Sequence, residues 1–319
     1  MTTPLAVALW LLVAAIAGVL AFELLLPTTA ARAWIALIRR AAGLQRRRVD
    51  LADASLEYLT GGCGEPLVLI HGFGGDKDNF SLLAPFLTRH FCLVVPDMAG
   101  FGDATRDPTA DYRIGEQVRR LHEFVKRLYL GRIHLGGNSM GGFIAAEYAA
   151  TYPEEVASLW LLDPAGSKPA LDTPLMRHFL TTGRIPLLVA DEAAYGELLA
   201  VATHRWSFVP CSVARVLARR AVADFKLHTS IFRQIREESP LLEAVLPSIR
   251  SPSLIVWGAE DRVLNPKAGP VMAGLIPGSR LIVMPGVGHL PMIERPRRVA
   301  RDYLAFQLEC RNESRLSKC

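Results

Sequence analysis

Residues 133–142 read Ile-His-Leu-Gly-Gly-Asn-Ser-Met-Gly-Gly and contain the pattern G-x-S-x-G at residues 137–141. This pattern predicts a sharp turn between a strand and a helix, with a serine exposed at the turn. The turn crowds its own backbone, and glycine at the flanking positions avoids a Cβ clash. The alternative is a glycine-rich turn with an incidental serine. We favour a nucleophilic Ser139, because later stretches of the chain supply the partners that it needs.

Strand and helix patterns alternate on both sides of this turn. Continuous apolar runs are typical of strands buried on both faces. Such a run occurs at residues 67–70, and further short strands are predicted at 92–95, 132–135, 156–162, 254–257 and 281–284. Helical spacing of apolar residues occurs at 79–89, 114–130 and 297–308, and residues 49–60 predict a hairpin. The alternation predicts an α/β fold, with a mostly parallel twisted sheet and helices on both faces.

The alternation is interrupted once, between residues 167 and 250. This segment shows no clear strand but has helical stretches and large apolar side chains, among them Phe179, Leu187, Leu188, Trp206, Phe208 and Phe232. Because it follows the carboxyl end of a strand, we interpret it as a helical cap over Ser139. The predicted domains are a core at 49–166 and 251–309, the cap at 167–250 and a tail at 310–319.

An apolar segment precedes the core and carries only Glu23 as a charge between residues 5 and 26. At about 1.5 Å per residue such a helix spans a bilayer core of roughly 30 Å. A cleaved signal peptide is the alternative, but residues 1–4 lack the positive charge it requires. We therefore predict a transmembrane anchor at residues 1–26.

The segment at residues 27–48 is basic and amphipathic. It holds six arginines: Arg32, Arg39, Arg40, Arg46, Arg47 and Arg48. A basic cluster beside an apolar helix favours a membrane surface, and no aromatic-interleaved basic stripe indicates nucleic acid. The positive-inside rule predicts a catalytic domain on the cytoplasmic side. The alternative for the arginines is a solvated linker.

The chain has 319 residues, a net charge of +5 and five cysteines without a C-x-x-C pair. The length is sufficient for one large or two ordinary domains. The scattered cysteines predict free thiols. The sequence shows no cluster of ligands, so we expect neither a metal nor a cofactor.

Five motifs resemble those of the α/β-hydrolase superfamily across residues 51–308. They are His71-Gly72-Phe73-Gly74, residues 96–102 (Pro-Asp-Met-Ala-Gly-Phe-Gly), residues 137–141, residues 257–263 (Trp-Gly-Ala-Glu-Asp-Arg-Val) and Gly288-His289. The anchor, residues 74–80 and residues 163–166 (Asp-Pro-Ala-Gly) resemble membrane-anchored monoacylglycerol lipases of the α/β-hydrolase domain-containing protein 6 type. Asn138 departs from that branch and is similar to the C–C-bond hydrolases of aromatic ring-fission products. Leu290 stands where those hydrolases carry a tryptophan.

The resemblance implies a Ser-His-Asp triad. His289 follows the last predicted strand and is the expected base, and the family places the acid at Asp261. Asp163, at the end of the preceding strand, is the alternative acid, whereas Asp97 reads as structural. The family forms its oxyanion hole from two backbone N–H groups, here those of Phe73 and Met140. It also implies a structural role for His71.

The expected activity is hydrolysis of lipid carboxylic esters through an acyl-enzyme, with a monoacylglycerol as the substrate and one acyl chain beneath the cap. One alternative is a C–C hydrolase, which would need a carboxylate-binding arginine such as Arg205. Others are a general short-chain carboxylesterase and a non-catalytic binding protein. The expected partners are an acyl-glycerol or other lipid ester and the bilayer.

Overall fold

The computed structural model describes residues 4–205 and 209–316, so Trp206 and Phe208 of the predicted cap lie outside the described residues. One sheet of eight strands has the order β1-β2-β4-β3-β5-β6-β7-β8. The strands are β1 Gln45–Asp50, β2 Ser55–Gly61, β3 Glu65–Ile70, β4 Phe91–Pro96, β5 Ile133–Asn138, β6 Val156–Leu162, β7 Ser253–Gly258 and β8 Arg280–Met284. Strand β2 pairs antiparallel with β1 and β4, and all other pairs are parallel.

Helices cover both faces of this sheet, as the sequence predicts. The helices are α1 Pro4–Leu25, α2 Pro27–Ala41, α3 Ile114–Arg127, α4 Met140–Thr151, α5 Pro174–Thr182, α6 Glu192–Ala202, α7 Cys211–Ala223, α8 Phe225–Glu238, α9 Ala268–Leu275, α10 Pro291–Glu294 and α11 Pro296–Leu316. One core cluster packs α3, α4 and α9 on the sheet. A second cluster packs α11 and the turns around Phe80 on the opposite face. Because parallel strands end at one edge, the loops after β3, β5, β7 and β8 meet there.

Four helices, α5 to α8, lie between β6 and β7, where the sequence predicts the cap. Helices α7 and α8 are separated at Asp224. An aromatic cluster joins them to the core: the Phe232 ring of α8 lies 5.6 Å from that of Phe73, and Phe179 of α5 lies 5.3 Å from Phe232.

The N-terminal helices lie against α7. Residues 6–25 have a mean hydropathy of 2.4, and none of this span is buried among the described residues. Helix α2 packs along α7, and Glu23 accepts hydrogen bonds from Trp34 Nε1 (2.5 Å) and Ser212 N (2.8 Å). Ser212 is in the first turn of α7, where backbone N–H groups lack helical partners and favour a carboxylate.

Three elements differ from the sequence prediction. The sheet begins at Gln45, so Arg46, Arg47 and Arg48 belong to β1 and not to the amphipathic helix that precedes it. Residues 79–89 form no α-helix but lie in two 3-10 turns, at 77–80 and 84–86. Pro85 lacks the N–H that a helix would need there. Helix α11 continues to Leu316, beyond the predicted end of the core at 309.

Candidate active site

Ser139 occupies a strained turn between β5 and α4. Its φ of 56° and ψ of −116° lie outside the regions that most non-glycine residues adopt. A Cβ at Gly137 would lie 2.1 Å from the carbonyl oxygen of Gly141, and a Cβ at Gly141 would lie 2.1 Å from that of Ile70. Both glycines are therefore required by space, as the G-x-S-x-G pattern predicts.

A histidine and a carboxylate are paired near the same edge of the sheet. His289 follows β8, and its Nδ1–H donates to Oδ2 of Asp261, after β7, at 2.8 Å. Oδ1 of Asp261 accepts from the backbone N–H groups of Val263 (2.8 Å) and Leu264 (3.0 Å). Both side chains are buried. This bond fixes the tautomer of His289 that leaves Nε2 able to accept a proton.

The backbone of His289 is held from two sides. Its N–H donates to the carbonyl of Ala202, at the end of α6, and its own carbonyl accepts from Asn138 Nδ2 at 3.0 Å. The amide of Asn138 also donates to the Leu162 carbonyl at 3.1 Å. Asn138, noted in the sequence only as a departure from one branch, thus connects the serine strand to the histidine.

Glu294 of α10 is a second contact that the sequence does not reveal. Its carboxylate is buried and accepts from the backbone N–H groups of Gly288 (2.8 Å), His204 (3.1 Å) and Arg205 (2.9 Å). It therefore joins the histidine turn to the chain that follows α6. No local motif marks such a residue, because its partners are backbone groups distant in sequence.

The loop after β3 passes beside the serine. A Cβ at Gly72 would lie 3.3 Å from Cβ of Ser139, so the next residue, Phe73, is adjacent to the elbow. Met140 is the first residue of α4, and the first N–H groups of a helix have no partner within the helix. The two backbone groups expected at an oxyanion hole thus come from elements that meet at Ser139.

His71 has structural contacts, as the resemblance implies. Its Nε2 accepts from Met98 N at 3.0 Å, so Nδ1 carries the hydrogen and donates to the Gly72 carbonyl at 2.8 Å. Burial lowers the pKa of this imidazole and keeps it neutral. Asp97 accepts from the buried Lys77 ammonium at 2.6 Å, which agrees with a structural aspartate.

Asp163, the alternative acid, lies next to the Asp261–His289 pair and is fully buried. Its Oδ1 accepts from Gly258 N at 2.8 Å, and its Oδ2 is buried without a hydrogen-bond partner among the described residues. One ligand atom from each of Asp163, Asp261 and His289 lies within 4.8 Å of the others. Burial, and then the charge of Asp261, raises the pKa of Asp163 well above the ordinary value of a carboxyl group.

Two further features concern substrate binding. Arg205, the candidate carboxylate-binding arginine of a C–C hydrolase, is exposed in the structure. A surface depression of about 480 Å³ is lined by His204 and residues 259–262. Its lining includes neither Ser139 nor Phe73, so it is not the acyl pocket expected beneath the cap, and that pocket stays a prediction.

Comparisons with known proteins agree with this geometry. The family described as alpha/beta hydrolase fold matches residues 65–296. Lipase 3 of Moraxella sp. (strain TA144) is 39% identical over 82% of this chain and 87% of its own length. Human monoacylglycerol lipase ABHD6 is 30% identical over 92% of both chains. The crystal structure of a membrane phospholipase A has a TM-score of 0.87 and 39% identity, covering 96% of this chain and 98% of that one. The chain belongs to the α/β-hydrolase family.

Proposed function

We propose that the protein is a serine hydrolase that cleaves carboxylic esters of lipids, with monoacylglycerols as its preferred substrates. The observation that carries the proposal is the buried His289–Asp261 bond of 2.8 Å at the edge of the sheet where the strained Ser139 turn also lies. The names of the relatives, two lipases and a phospholipase A, support a lipid ester as the substrate.

The proposed reaction has two steps. His289 takes the proton of Ser139 as the hydroxyl attacks the ester carbonyl, and Asp261 stabilises the imidazolium that forms. The N–H groups of Phe73 and Met140 hold the negative oxygen of the tetrahedral intermediate. His289 then protonates the leaving alcohol. In the second step it activates water, which releases the fatty acid and restores Ser139.

The surroundings of the elbow support an apolar acyl group. Phe73 packs edge to face against Phe101 and Phe232, at 5.4 and 5.6 Å between ring centroids. These rings give the loop beside Ser139 an apolar wall shared with cap helix α8. Each CH₂ of an acyl chain buried there would contribute about 0.8 kcal/mol to binding. A small polar alcohol such as glycerol would then leave toward solvent.

A substrate panel tests the proposal. Turnover of mono-, di- and triacylglycerols, a lysophospholipid, a diacyl phospholipid, short p-nitrophenyl esters and an aromatic ring-fission product is compared in the same detergent. We expect monoacylglycerols to be cleaved fastest, with rates that rise with chain length until the pocket ends. Preference for the diacyl phospholipid would identify a phospholipase, for which the similarity to a phospholipase A is the specific support. Cleavage of short esters alone would indicate a general carboxylesterase.

We also propose that α1 anchors the protein in a bilayer, with the catalytic domain on the cytoplasmic side. Its 22 residues have a length of about 33 Å as a helix, which is sufficient to cross the hydrocarbon core. The protein should sediment with membranes and resist extraction by high salt. The catalytic domain should be digested only by protease added from the cytoplasmic side. A mature N-terminus near residue 34 would instead indicate a cleaved signal peptide.

Removal of residues 1–26 should release an active enzyme into the soluble fraction. The sheet begins at Gln45, so a longer deletion through Arg48 would remove most of edge strand β1. The shorter deletion therefore separates membrane attachment from folding. Loss of activity in the shorter form, with its fold intact, would show that α1 contributes more than attachment.

A further inference from the structure

Beside the candidate triad lies a buried carboxyl group that the proposed reaction does not use. Asp163 and Asp261 are both buried, and one carboxylate oxygen of each lies within 4.8 Å of the other. Two ionised carboxylates this close within a protein interior repel each other strongly, so such a pair retains one proton. The geometry decides which of the two residues holds it.

Asp261 has the surroundings of an ionised carboxylate. It accepts two backbone N–H groups at Oδ1, from Val263 and Leu264, and the His289 ring N–H at Oδ2. Asp163 accepts a single N–H, from Gly258 at Oδ1, and its Oδ2 is buried without a hydrogen-bond partner among the described residues. Three donors favour the charged form of Asp261 over that of Asp163. The proton therefore belongs on Oδ2 of Asp163.

We propose that Asp163 is a neutral carboxylic acid that donates a hydrogen bond to Asp261 and is a positioning residue for the proposed Ser139–His289–Asp261 triad. The inference rests on the proposed function. The group assembled at the sheet edge is then an acid, a carboxylate and an imidazole in series, with a single negative charge. The proton stays on Asp163 throughout both steps, and no proton passes through Asp261.

This bond has two effects. It adds a fourth donor to the two backbone N–H groups and the imidazole N–H that already hold the Asp261 carboxylate, and so restricts its rotation further. It also withdraws negative charge from Asp261, so the imidazolium is stabilised less than it would be by a lone carboxylate. Other charged groups near Asp163 are His289 and Glu294, of which Glu294 adds negative charge. A second ionised acid at this point would make the base protonated over a wider pH range.

The backbone around Asp163 supports a dedicated role. Its φ of 44° lies in the left-handed region, which side chains other than glycine rarely adopt. Its N–H donates to the Val256 carbonyl of β7 at 2.9 Å, while Ser139 N donates to the Leu162 carbonyl, one residue before Asp163, at 3.0 Å. The backbone of Asp163 is thus hydrogen-bonded to β7, the strand that precedes Asp261. Its neighbour Leu162 is hydrogen-bonded to the turn that holds Ser139.

The test compares Asp163→Asn with Asp163→Ala in the full-length protein. Asparagine reproduces the neutral acid, since its amide N–H₂ can donate to Asp261 while its oxygen accepts from Gly258. We expect Asp163→Asn to retain kcat within about threefold, and Asp163→Ala to lose about tenfold or more, because alanine removes a hydrogen bond to a charged group. Glu147→Gln is the matched control, because Glu147 is a part-buried carboxyl on α4 whose pKa is also raised by burial.

The pH profile of kcat/KM separates this role from a merely structural one, because a structural role would not shift the profile along the pH axis. Its acidic limb reports protonation of the base. In Asp163→Ala the limb should move to higher pH, because Asp261 regains full negative charge. In Asp163→Asn the acidic limb should stay at its wild-type pH or move slightly to higher pH. A shift of the Asp163→Asn limb to lower pH would mean that Asp163 is ionised in the native enzyme, and would overturn the proposal.

Difference infrared spectroscopy provides a measurement that does not depend on turnover. At neutral pH the wild type should show the carbonyl band of a protonated carboxylic acid, which Asp163→Asn removes and Glu147→Gln does not. Absence of that loss would contradict the proposal. If Asp163→Asn does not fold, the test uses the wild type alone. We then expect this band to change when a fluorophosphonate labels Ser139. Failure of labelling itself would instead contradict the proposed function.

Discussion

The catalytic edge of the sheet and the cap that follows β6 are stabilised in different ways. Nine of the twelve residues of α4 are buried, whereas cap helix α5 has none and α6 only Ala202 among the described residues. The cap is joined to the core by the contact of Phe232 with Phe73 and by polar contacts, such as those of Arg220 with Asp103 (2.6 Å) and Asp76 (3.2 Å). Close packing thus fixes the reacting groups, whereas helices α5 and α6 are buried only in part.

The largest effect that this comparison predicts comes from the reacting groups themselves. Ser139→Ala and His289→Ala should each reduce kcat by about 10⁶-fold, because the members of a triad act as a unit. The fold should persist, since Ser139→Ala removes one oxygen and the backbone of His289 is held by Ala202 and Asn138 without its ring. Esterase assays with circular dichroism check this, and wild-type turnover by either variant would refute the triad.

Asp261→Asn should follow, with a loss of about 10⁴-fold in kcat, because an amide can select the wrong tautomer of His289. The loss should far exceed that of Asp163→Asn, although the two acids lie side by side. Steady-state kinetics of both variants check the order. If Asp163→Asn is the more damaging, the acid of the triad comes from β6 and not from β7.

Glycine substitutions sharpen the contrast between the two regions. Gly141→Ala places a Cβ 2.1 Å from the Ile70 carbonyl and should lower the free energy of unfolding by about 3 kcal/mol or more. A Cβ at Gly196 of α6 would meet no atom within 4 Å, so Gly196→Ala should raise that free energy by about 0.5–1 kcal/mol. Thermal unfolding of both variants gives the comparison, and equal effects would contradict it.

The smallest effect concerns the contacts that hold the cap. Arg220 is about one-third exposed, so Arg220→Ala should cost about 1 kcal/mol or less, and less at high salt. It should nevertheless speed proteolysis within the cap and change KM more than kcat. The neighbouring Arg219, which pairs with Glu192 within the cap, is the control. If Arg219→Ala changes KM as much, the bond from cap to core has no special role.

The sequence predicts the sheet well because buried parallel strands leave a clear apolar signal. The run at residues 156–162 is observed as β6 with the same bounds. The prediction of a helix at 79–89 is wrong, because it rests on apolar spacing and does not take account of Pro85. The arginines at 46–48 were assigned to a juxtamembrane segment, because a hairpin edge strand with exposed side chains carries no apolar run to mark it.

The candidate site likewise contains residues that the sequence predicts and residues that it does not. The positions of Ser139 and His289 follow from local motifs, and the structure places their elements at one edge. The contacts of Asn138 and Glu294 could not be predicted, because they depend on carbonyl and N–H groups brought close only by folding. The sequence leaves Asp163 as an alternative to Asp261, and the hydrogen bond of His289 to Asp261 supports the proposal that Asp261 is the acid.

Strand β1 has a consequence for self-assembly. It is the outer strand of the sheet, and an outer strand offers unpaired N–H and C=O groups on which another chain could add a strand. Three consecutive arginines, 46–48, are exposed on it, and charged side chains on an edge oppose such addition. The arginines that resemble a lipid-binding cluster in the sequence thereby protect the sheet against edge-to-edge aggregation.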